Sequence, residues 1–194
     1  LLRRVPEVSR KLREGYWGKD MLGEEVRGKR LGIVGLGRVG GRVARLAQAF
    51  GMKVVACDPY IERARFRELA ARPLPLAKLV EVADVLTLHT PLTEETRGMI
   101  GAREIRAMRS GSWLINCARG GIVGERALKA ALDDGHLRGA AIDTWIGEPT
   151  PAPDLVNHPL VLGTAHIGAA TREAKARLVT FMVREIQRFL KARR

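Results

Sequence analysis

Three polar side chains with complementary chemistry each follow a short apolar run of the kind that forms a buried strand. They are Arg119, Glu148 and His166. A guanidinium holds a carboxylate through two parallel hydrogen bonds, and an imidazole that titrates near neutral pH can take and return a proton. A neighbouring glutamate would orient the ring and favour its protonated form. Together the three side chains predict proton transfer beside a bound acid. Taken one at a time, they have the alternative interpretation of a loop arginine, a solvated glutamate and a core histidine.

A glycine-rich segment, LGIVGLGRVG at 31–40, supplies a second kind of chemistry. It directly follows a predicted strand and opens a predicted helix, which is the context that a dinucleotide-binding turn requires. Gly35 would permit the tight turn, Gly37 would let the backbone approach a pyrophosphate, and Gly40 would allow the helix to pack closely on the strand. The helix amides and the positive end of the helix dipole would then hold the phosphates.

The next predicted strand leads into Asp58, which follows the glycines at the spacing of about 20 residues expected for a ribose-binding carboxylate. Such a carboxylate accepts hydrogen bonds from the ribose hydroxyls and repels a 2′-phosphate. The segment therefore predicts NAD, in preference to NADP, as the cofactor. The alternative interpretation is a glycine cluster in a plain turn, followed by an ordinary Asp-Pro turn. Hydride transfer between NAD and a hydroxy acid would use both this segment and the three polar groups.

The elements that must position these residues alternate between strand-like and helical patterns along most of the chain. Apolar residues recur at helical spacing within 39–50 and within 178–189. This alternation predicts the α/β class, as a Rossmann-type doubly wound parallel sheet in three α/β/α layers with ligands at the carboxyl edge. The predicted strands are Arg30–Val34, Lys53–Cys57, Asp84–Leu88, Ser112–Asn116, Gly139–Asp143 and Leu160–Gly163.

Composition excludes several classes of protein. A chain of 194 residues with 46% hydrophobic and 28% charged residues is not a disordered polymer, a collagen, a disulfide mini-protein or a membrane-spanning protein. Neither Cys57 nor Cys117 has a partner at metal-ligand spacing, so we predict no metal and a reducing, cytoplasmic setting. The net charge of +13 suggests nucleic acid as an alternative partner, but the basic residues are dispersed and aromatics are only 5%, which favours a solvated basic surface.

Six stretches, in order, resemble the D-2-hydroxyacid dehydrogenase family: LGIVGLGRVG, CDPY, LHTPLTEETRGMIG, NCARGGIV, AAIDTWIGEP and AHIGAATREA. Two of these stretches, NCARGGIV and GAATREA, favour the phosphoglycerate branch of the family. The resemblance implies an NAD-dependent homo-oligomer without membrane or specific nucleic-acid partners, which oxidises D-3-phosphoglycerate to 3-phosphohydroxypyruvate in serine biosynthesis. Two alternatives stay open: another enzyme of the family, such as a glyoxylate/hydroxypyruvate reductase, and a dinucleotide-sensing corepressor on the same fold.

The resemblance also implies roles for individual residues. Arg119 would bind the substrate carboxylate, His166 would donate or accept the proton, and Glu148 would be its partner. The implied cofactor contacts are Arg38 and Val39 at the pyrophosphate, Asp58 at the ribose, Thr90, Cys117, Ala118 and Arg119 along the cleft, Asp143 at the nicotinamide carboxamide, and His166 and Gly168 beside it. The sequence departs from the family's pattern at Gly124, at Thr144–Trp145, where Val followed by Phe or Tyr is usual, and at Ala165.

The resemblance implies one NAD-binding domain over 1–194, with 1–20 and 171–194 as helices that join it to a second, flavodoxin-like substrate domain. Most of that second domain would precede Leu1, and a chain without an initiator Met or a signal-peptide pattern is typical of a piece of a longer protein. We expect such a piece to bind NAD. It would lack groups that complete the substrate pocket and the closure that excludes water.

Overall fold

The computed structural model of the protein describes residues 1–18 and 20–191. Its strands are β1 (Arg30–Val34), β2 (Lys53–Cys57), β3 (Arg72–Pro73), β4 (Val85–Leu88), β5 (Ser112–Asn116), β6 (Leu137–Ile142) and β7 (Val161–Gly163). Its helices are α1 (Val5–Arg13), α2 (Arg38–Ala49), α3 (Arg63–Glu68), α4 (Leu76–Val82), α5 (Ala102–Ala107), α6 (Glu125–Asp133), α7 (Pro153–Val156) and α8 (Arg172–Lys191). Lys19 and residues 192–194, which belong to the predicted joining helices, lie outside the described residues.

The strands of this described part form one parallel sheet in the order β3-β2-β1-β4-β5-β6-β7. The chain winds outward from β1 to β3, then returns to the other side of β1 and continues from β4 to β7. The direction of winding therefore reverses between β1 and β4, and the loops that follow these two strands separate to form a crevice at the carboxyl edge. The predicted doubly wound sheet is confirmed.

The predicted strand bounds agree closely with the structure. Three strands have the predicted bounds, and β4, β6 and β7 differ from prediction by one or two residues at an end. The sequence analysis missed β3, a two-residue edge strand that pairs with β2. Its residues, Arg72 and Pro73, form no apolar run, and a proline argues against a strand except at an edge.

Helices cover both faces of the sheet, because successive strand residues point to opposite sides. One core lies between the sheet and α2 and α3, and it contains Ala44 and Ala47 of α2, Phe66 of α3 and Leu69 directly after α3. The other core lies between the sheet and α4, α5 and α6, and its helical residues include Leu79, Val80, Ile105, Leu128, Ala131 and Leu132. The predicted three-layer α/β/α arrangement is confirmed.

Helix α2 meets the sheet through its smallest residues. Its buried residues are Gly40, Gly41, Ala44 and Ala47. The large apolar side chains that reveal its helical periodicity point outward, with Val39, Leu46 and Phe50 exposed by 61%, 62% and 68%. The close approach requires glycine, since a Cβ on Gly40 would stand 2.0 Å from the carbonyl oxygen of Gly35. The sequence periodicity thus located this helix but not the face that it buries.

The terminal helices α1 and α8 contribute no buried residue. The apolar face predicted within 178–189 exists on α8, and its large side chains are exposed. The assignment of 1–20 and 171–194 as inter-domain helices stays a prediction. No helix in the described part of the chain is both long enough and apolar enough to cross a bilayer.

Gly40→Ala should destabilise the fold, whereas Gly37→Ala should not. The new Cβ at position 40 meets a backbone carbonyl that cannot retreat unless α2 separates from β1, so we expect a loss of about 2–3 kcal/mol in the free energy of unfolding. No described heavy atom lies within 4 Å of the corresponding Cβ at Gly37. That variant should stay within about 0.5 kcal/mol of the parent. Urea unfolding followed by circular dichroism measures both, and equal midpoints would contradict the packing described.

Candidate functional site

The turn that joins β1 to α2 lies against the loop that follows β4. Gly35 has a φ of +89°, in the left-handed region that favours glycine. A Cβ there would stand 2.8 Å from the carbonyl oxygen of His89 and 2.9 Å from Cγ2 of Thr90. Two independent constraints, conformation and space, therefore require glycine at this position. They place the predicted dinucleotide-binding turn where the direction of winding reverses, between β1 and β4.

The first turn of α2 is open toward the crevice. Gly37 precedes the helix and has no side chain that could cap it, and a Cβ at this position would meet no described atom within 4 Å. Arg38 and Val39, the first two helical residues, are exposed. An anion can therefore approach backbone N–H groups that the helix itself leaves unpaired.

Asp58 stands at the end of β2 beside this turn and is half-buried. Its Oδ2 accepts a hydrogen bond from the backbone N–H of Leu36 at 2.8 Å, and its Oδ1 accepts one from Tyr60 at 3.0 Å. These two amides fix the carboxylate next to the glycine turn. Each carboxylate oxygen retains acceptor capacity, which the hydroxyls of a ribose can use.

The crevice contains a polar atom that a ligand would satisfy. Within the described residues, the buried hydroxyl of Thr90 has no hydrogen-bond partner, and its methyl group faces Gly35. A buried polar group without a partner normally costs stability. The open space at Gly37, the anchored carboxylate of Asp58 and the unpaired Thr90 hydroxyl together fit a dinucleotide, with its phosphates at the start of α2 and its adenosine ribose toward β2.

The loop after β5 carries Arg119 and is organised by Asn116. The Asn116 side chain accepts from the backbone N–H of Ala118 at 3.1 Å and donates to the carbonyl of Arg119 at 3.0 Å. The guanidinium of Arg119 donates to the carbonyl of Ala118 at 2.6 Å, and this arginine and Cys117 are both exposed. The predicted cleft residues of this loop therefore form one compact turn at the carboxyl edge.

Asp143, at the end of β6, holds the turn that carries His166. Its Oδ1 accepts from the hydroxyl of Thr164 at 2.5 Å and from the N–H of Ile167 at 2.8 Å, and its Oδ2 accepts from the N–H of Gly168 at 3.0 Å. Burial raises the pKa of this carboxyl, but the hydrogen bonds together outweigh burial and hold the pKa below its usual value. Asp143 is therefore an ionised anchor, and its contact with a nicotinamide carboxamide stays a prediction.

His166 and Glu148 form a hydrogen-bonded pair. Nδ1 of His166 donates to Oε2 of Glu148 at 2.9 Å, while Oε1 of Glu148 accepts from the backbone N–H of Trp145 at 2.7 Å. The hydrogen bond from His166, followed by that from Trp145, lowers the pKa of the Glu148 carboxyl. Glu148 is thus ionised at neutral pH, and the imidazole is 48% exposed at the carboxyl edge.

Packing joins the Arg119 loop to this pair. Gly120, the residue after Arg119, lies so close to Trp145 that a Cβ there would stand 2.0 Å from the Trp145 carbonyl oxygen. The structure therefore connects all three predicted polar groups through Trp145. Sequence reasoning singled out neither Asn116 nor Thr164 as a site residue, yet each is a polar residue at or directly after the carboxyl end of a strand, which was the available signal.

The other predicted features lie as follows. His89 follows β4 at the crevice, and burial lowers the pKa of its imidazole to about 4. Its Nε2 lies 3.2 Å from the hydroxyl of Thr87. His136 precedes β6, at the opposite edge of the sheet. Over residues 1–18 and 20–191, no cluster of three or more His, Cys, Asp or Glu side chains is arranged to hold a metal ion.

Comparison with protein families gives one match that covers most of the chain. Residues 1–168 match the family described as D-isomer specific 2-hydroxyacid dehydrogenase, NAD binding domain. The D-3-phosphoglycerate dehydrogenase of Bacillus subtilis (strain 168) is 41% identical over 192 residues, which are 98% of this chain and 37% of that protein. This chain therefore spans little more than a third of the length of that curated relative.

Solved structures with the same fold come from related dehydrogenases. The D-lactate dehydrogenase of Aquifex aeolicus, in complex with NAD and lactic acid, superimposes with a TM-score of 0.88 at 28% identity and covers 99% of this chain and 63% of its own. A glyoxylate reductase of Paecilomyes thermophila superimposes with a TM-score of 0.89 at 32% identity, over 96% of this chain and 57% of its own. The cofactor predicted from the glycine turn and Asp58 is NAD, and the family match confirms it.

Acidification should destabilise the protein through His89. Its imidazole stays neutral in the folded state down to a pKa of about 4, whereas in the unfolded chain it takes up a proton near 6.5. Its contribution to the free energy of unfolding is therefore complete above pH 6.5 and is lost as the pH falls toward 4, by at most about 3 kcal/mol. Urea unfolding from neutral pH down to pH 4 should show a flatter pH dependence for His89→Gln than for the parent, and parallel curves would contradict this account.

Proposed function

This chain belongs to the D-isomer specific 2-hydroxyacid dehydrogenases, as their NAD-binding domain, and from that premise we propose that it serves an enzyme that transfers a hydride between NAD and a D-2-hydroxy acid. The observation that carries the proposal is the hydrogen-bonded pair of His166 and Glu148, which stands at the same sheet edge as the glycine turn. A dinucleotide sensor needs no proton-transferring pair. The pair therefore favours an enzyme over a corepressor.

The bound nicotinamide supplies or accepts the hydride, and the protein's own residues manage the proton. His166 exchanges the proton of the substrate hydroxyl through Nε2, because Nδ1 is engaged by Glu148. In oxidation the hydroxyl proton passes to the imidazole as the hydride leaves carbon, and in reduction the proton returns to the carbonyl oxygen. The ionised Glu148 stabilises the imidazolium that forms.

Arg119 binds the carboxylate of the substrate. Its planar guanidinium can donate two parallel hydrogen bonds, which orients the acid as well as attracting it. The hydrogen bond from the guanidinium to the carbonyl of Ala118 keeps the side chain at the carboxyl edge, and the remaining N–H groups are available to a ligand. A carboxylate held there beside His166 presents its neighbouring hydroxyl-bearing carbon for hydride transfer.

We propose D-3-phosphoglycerate as the hydroxy acid, oxidised to 3-phosphohydroxypyruvate in serine biosynthesis. The support is the 41% identity to the Bacillus subtilis relative of that name. The alternative acid is glyoxylate or hydroxypyruvate, because a glyoxylate reductase is similar at 32% identity. All three acids fit the same use of Arg119 and His166.

We also propose a homo-oligomer in the cytoplasm. The large apolar side chains on and directly after α2 that point away from the sheet, among them Leu46 and Phe50, support self-association because water-exposed apolar surface favours a protein contact. Both cysteines of the chain are free thiols, which supports a reducing compartment.

Binding of NADH should be at least about ten-fold tighter than binding of NADPH, because Asp58 repels a 2′-phosphate. Asp58→Ala should reduce the difference in affinity between NADH and NADPH. Gly37→Ala should lower the affinity for both cofactors about ten-fold or more, because its methyl group fills the space beside the helix amides. Titration of the 194-residue chain by NADH fluorescence measures all three.

Gly124→Ala is the matched control for Gly37→Ala. Gly124 also precedes a helix, α6, and the nearest atom to its Cβ position stands at an ordinary 3.8 Å. Its substitution should leave the affinity for NADH within about two-fold of the parent. Equal affinity of the parent for the two cofactors, or none for either, would refute the placement of the cofactor.

Arg119→Ala and His166→Ala should each lower turnover at least about 100-fold while leaving the affinity for NADH within about two-fold. Turnover is measured with NADH and 3-phosphohydroxypyruvate in a fusion where this chain replaces the matching 37% of the Bacillus subtilis relative. Arg109→Ala and His136→Ala, at the opposite edge of the sheet, are the matched controls and should retain activity. An active Arg119 or His166 variant would exclude its assigned role, and faster reduction of glyoxylate would select the alternative acid.

A further inference from the structure

We infer that Trp145 is a positioning residue that joins the three loops carrying Arg119, Glu148 and His166. This inference rests on the proposed function, because only there are those three side chains assigned to a reaction. Trp145 lies in the loop after β6 and is 6% exposed, so its indole ring belongs to the protein interior. The proposed mechanism gives it no part.

The backbone of Trp145 contacts two of the three loops. Its N–H fixes one oxygen of the Glu148 carboxylate at 2.7 Å, and the other oxygen accepts from His166 at 2.9 Å. Its carbonyl lies against Gly120, the residue next to Arg119, with no room for a Cβ. A displacement of the Trp145 backbone would therefore move the carboxylate and disturb the arginine loop together.

The indole ring contacts the third loop. Its Nε1–H donates to the carbonyl of Thr164 at 2.8 Å, two residues before His166. The ring edge also lies against the backbone of β7, since a Cβ on Gly163 would stand 2.8 Å from Cζ2. Phenylalanine and tyrosine, the usual residues at this position in the family pattern, have no indole N–H to donate. The bond to Thr164 is therefore specific to tryptophan.

His166 needs such support because of its backbone conformation. Its φ of +53° lies in the left-handed region, which a non-glycine residue adopts only where the surrounding structure holds it. Asp143 holds the turn from the side that follows His166, through two backbone N–H groups. The preceding side is held at Thr164 by two contacts, its hydroxyl on Asp143 and its carbonyl on the Trp145 indole. Without the indole bond the carbonyl of Thr164 is released, and the turn can relax and rotate Nδ1 of the imidazole away from Glu148.

Trp145→Phe removes the indole N–H and keeps an aromatic ring, and Trp113→Phe is its matched control. Trp113 is similarly buried, at 4% exposure, near the amino end of β5 and away from the site. The measurement uses the 194-residue chain without substrate or cofactor. It reads the tautomer of the neutral His166 ring from its nitrogen-15 chemical shifts, which His166→Gln assigns.

The hydrogen bond to Glu148 requires the proton on Nδ1, whereas a ring released from Glu148 distributes the proton over both nitrogens. We expect Trp145→Phe to lower the ratio of the Nδ1–H to the Nε2–H tautomer at least about five-fold, toward the value for Glu148→Gln. Trp113→Phe should leave the ratio within about two-fold of the parent. If the loss of any buried indole ring disturbed His166, the tautomer ratio would change to the same extent in Trp145→Phe and Trp113→Phe.

Replacement of Trp145 by β-(3-benzothienyl)alanine keeps the shape of the ring and exchanges only the N–H for sulfur. This isostere should lower the ratio of the Nδ1–H to the Nε2–H tautomer as Trp145→Phe does. If Trp145→Phe does not fold, the isostere alone tests the inference. An unchanged ratio in this isostere would overturn the inference, and so would an equal loss in Trp113→Phe. Absence of turnover in the fusion would contradict the proposed function. It would not affect the tautomer measurement, which requires no reaction and still tests the role of Trp145.

Discussion

The site depends first on the carboxylate of Asp143, a buried charge that the fold retains by giving it three hydrogen-bond donors. Burial alone would raise the pKa of this carboxyl, and the donors outweigh burial and lower it. In return, the carboxylate fixes the N–H groups of a turn whose central residue, His166, has a left-handed backbone. The imidazole keeps its orientation toward Glu148 because the backbone of its turn is bound to the Asp143 carboxylate. Displacing that carboxylate would break all three of its hydrogen bonds.

The parallel sheet provides the second constraint, since it brings the ends of all its strands to one edge. The glycine turn after β1, the Thr90 loop after β4, the Arg119 loop after β5 and the His166 turn after β7 therefore all lie along one edge of the sheet. Close packing then sets their spacing. Gly35 lets the β4 loop approach the turn, and Gly120 lets the arginine loop approach Trp145. At both places a methyl group would separate segments that the chemistry requires together.

The sequence was sufficient for the parts of this arrangement that local patterns encode. Continuous apolar runs placed six strands, and the spacing of Gly35, Gly37 and Gly40 located the glycine turn between β1 and α2. It was insufficient where the outcome depends on contacts between distant segments. Periodicity cannot show that α2 buries its glycines and alanines and exposes Leu46, because that choice follows from the carbonyl of Gly35. Likewise, nothing local shows that the carboxylate of Asp143 faces the His166 turn.

The remaining question of chemistry is how water is kept from the reacting atoms. The side chains of His166 and Glu148 are 48% and 35% exposed, so the described residues orient the pair proposed to transfer the proton without enclosing it. Hydride transfer is favoured in a site that excludes water, and the ion pair formed on protonation of His166 strengthens as water leaves. Orientation of the imidazole and exclusion of water are therefore separable properties. The contacts of Asp143, Trp145 and Glu148 provide the first, and the second requires more cover over His166 than the described residues give it.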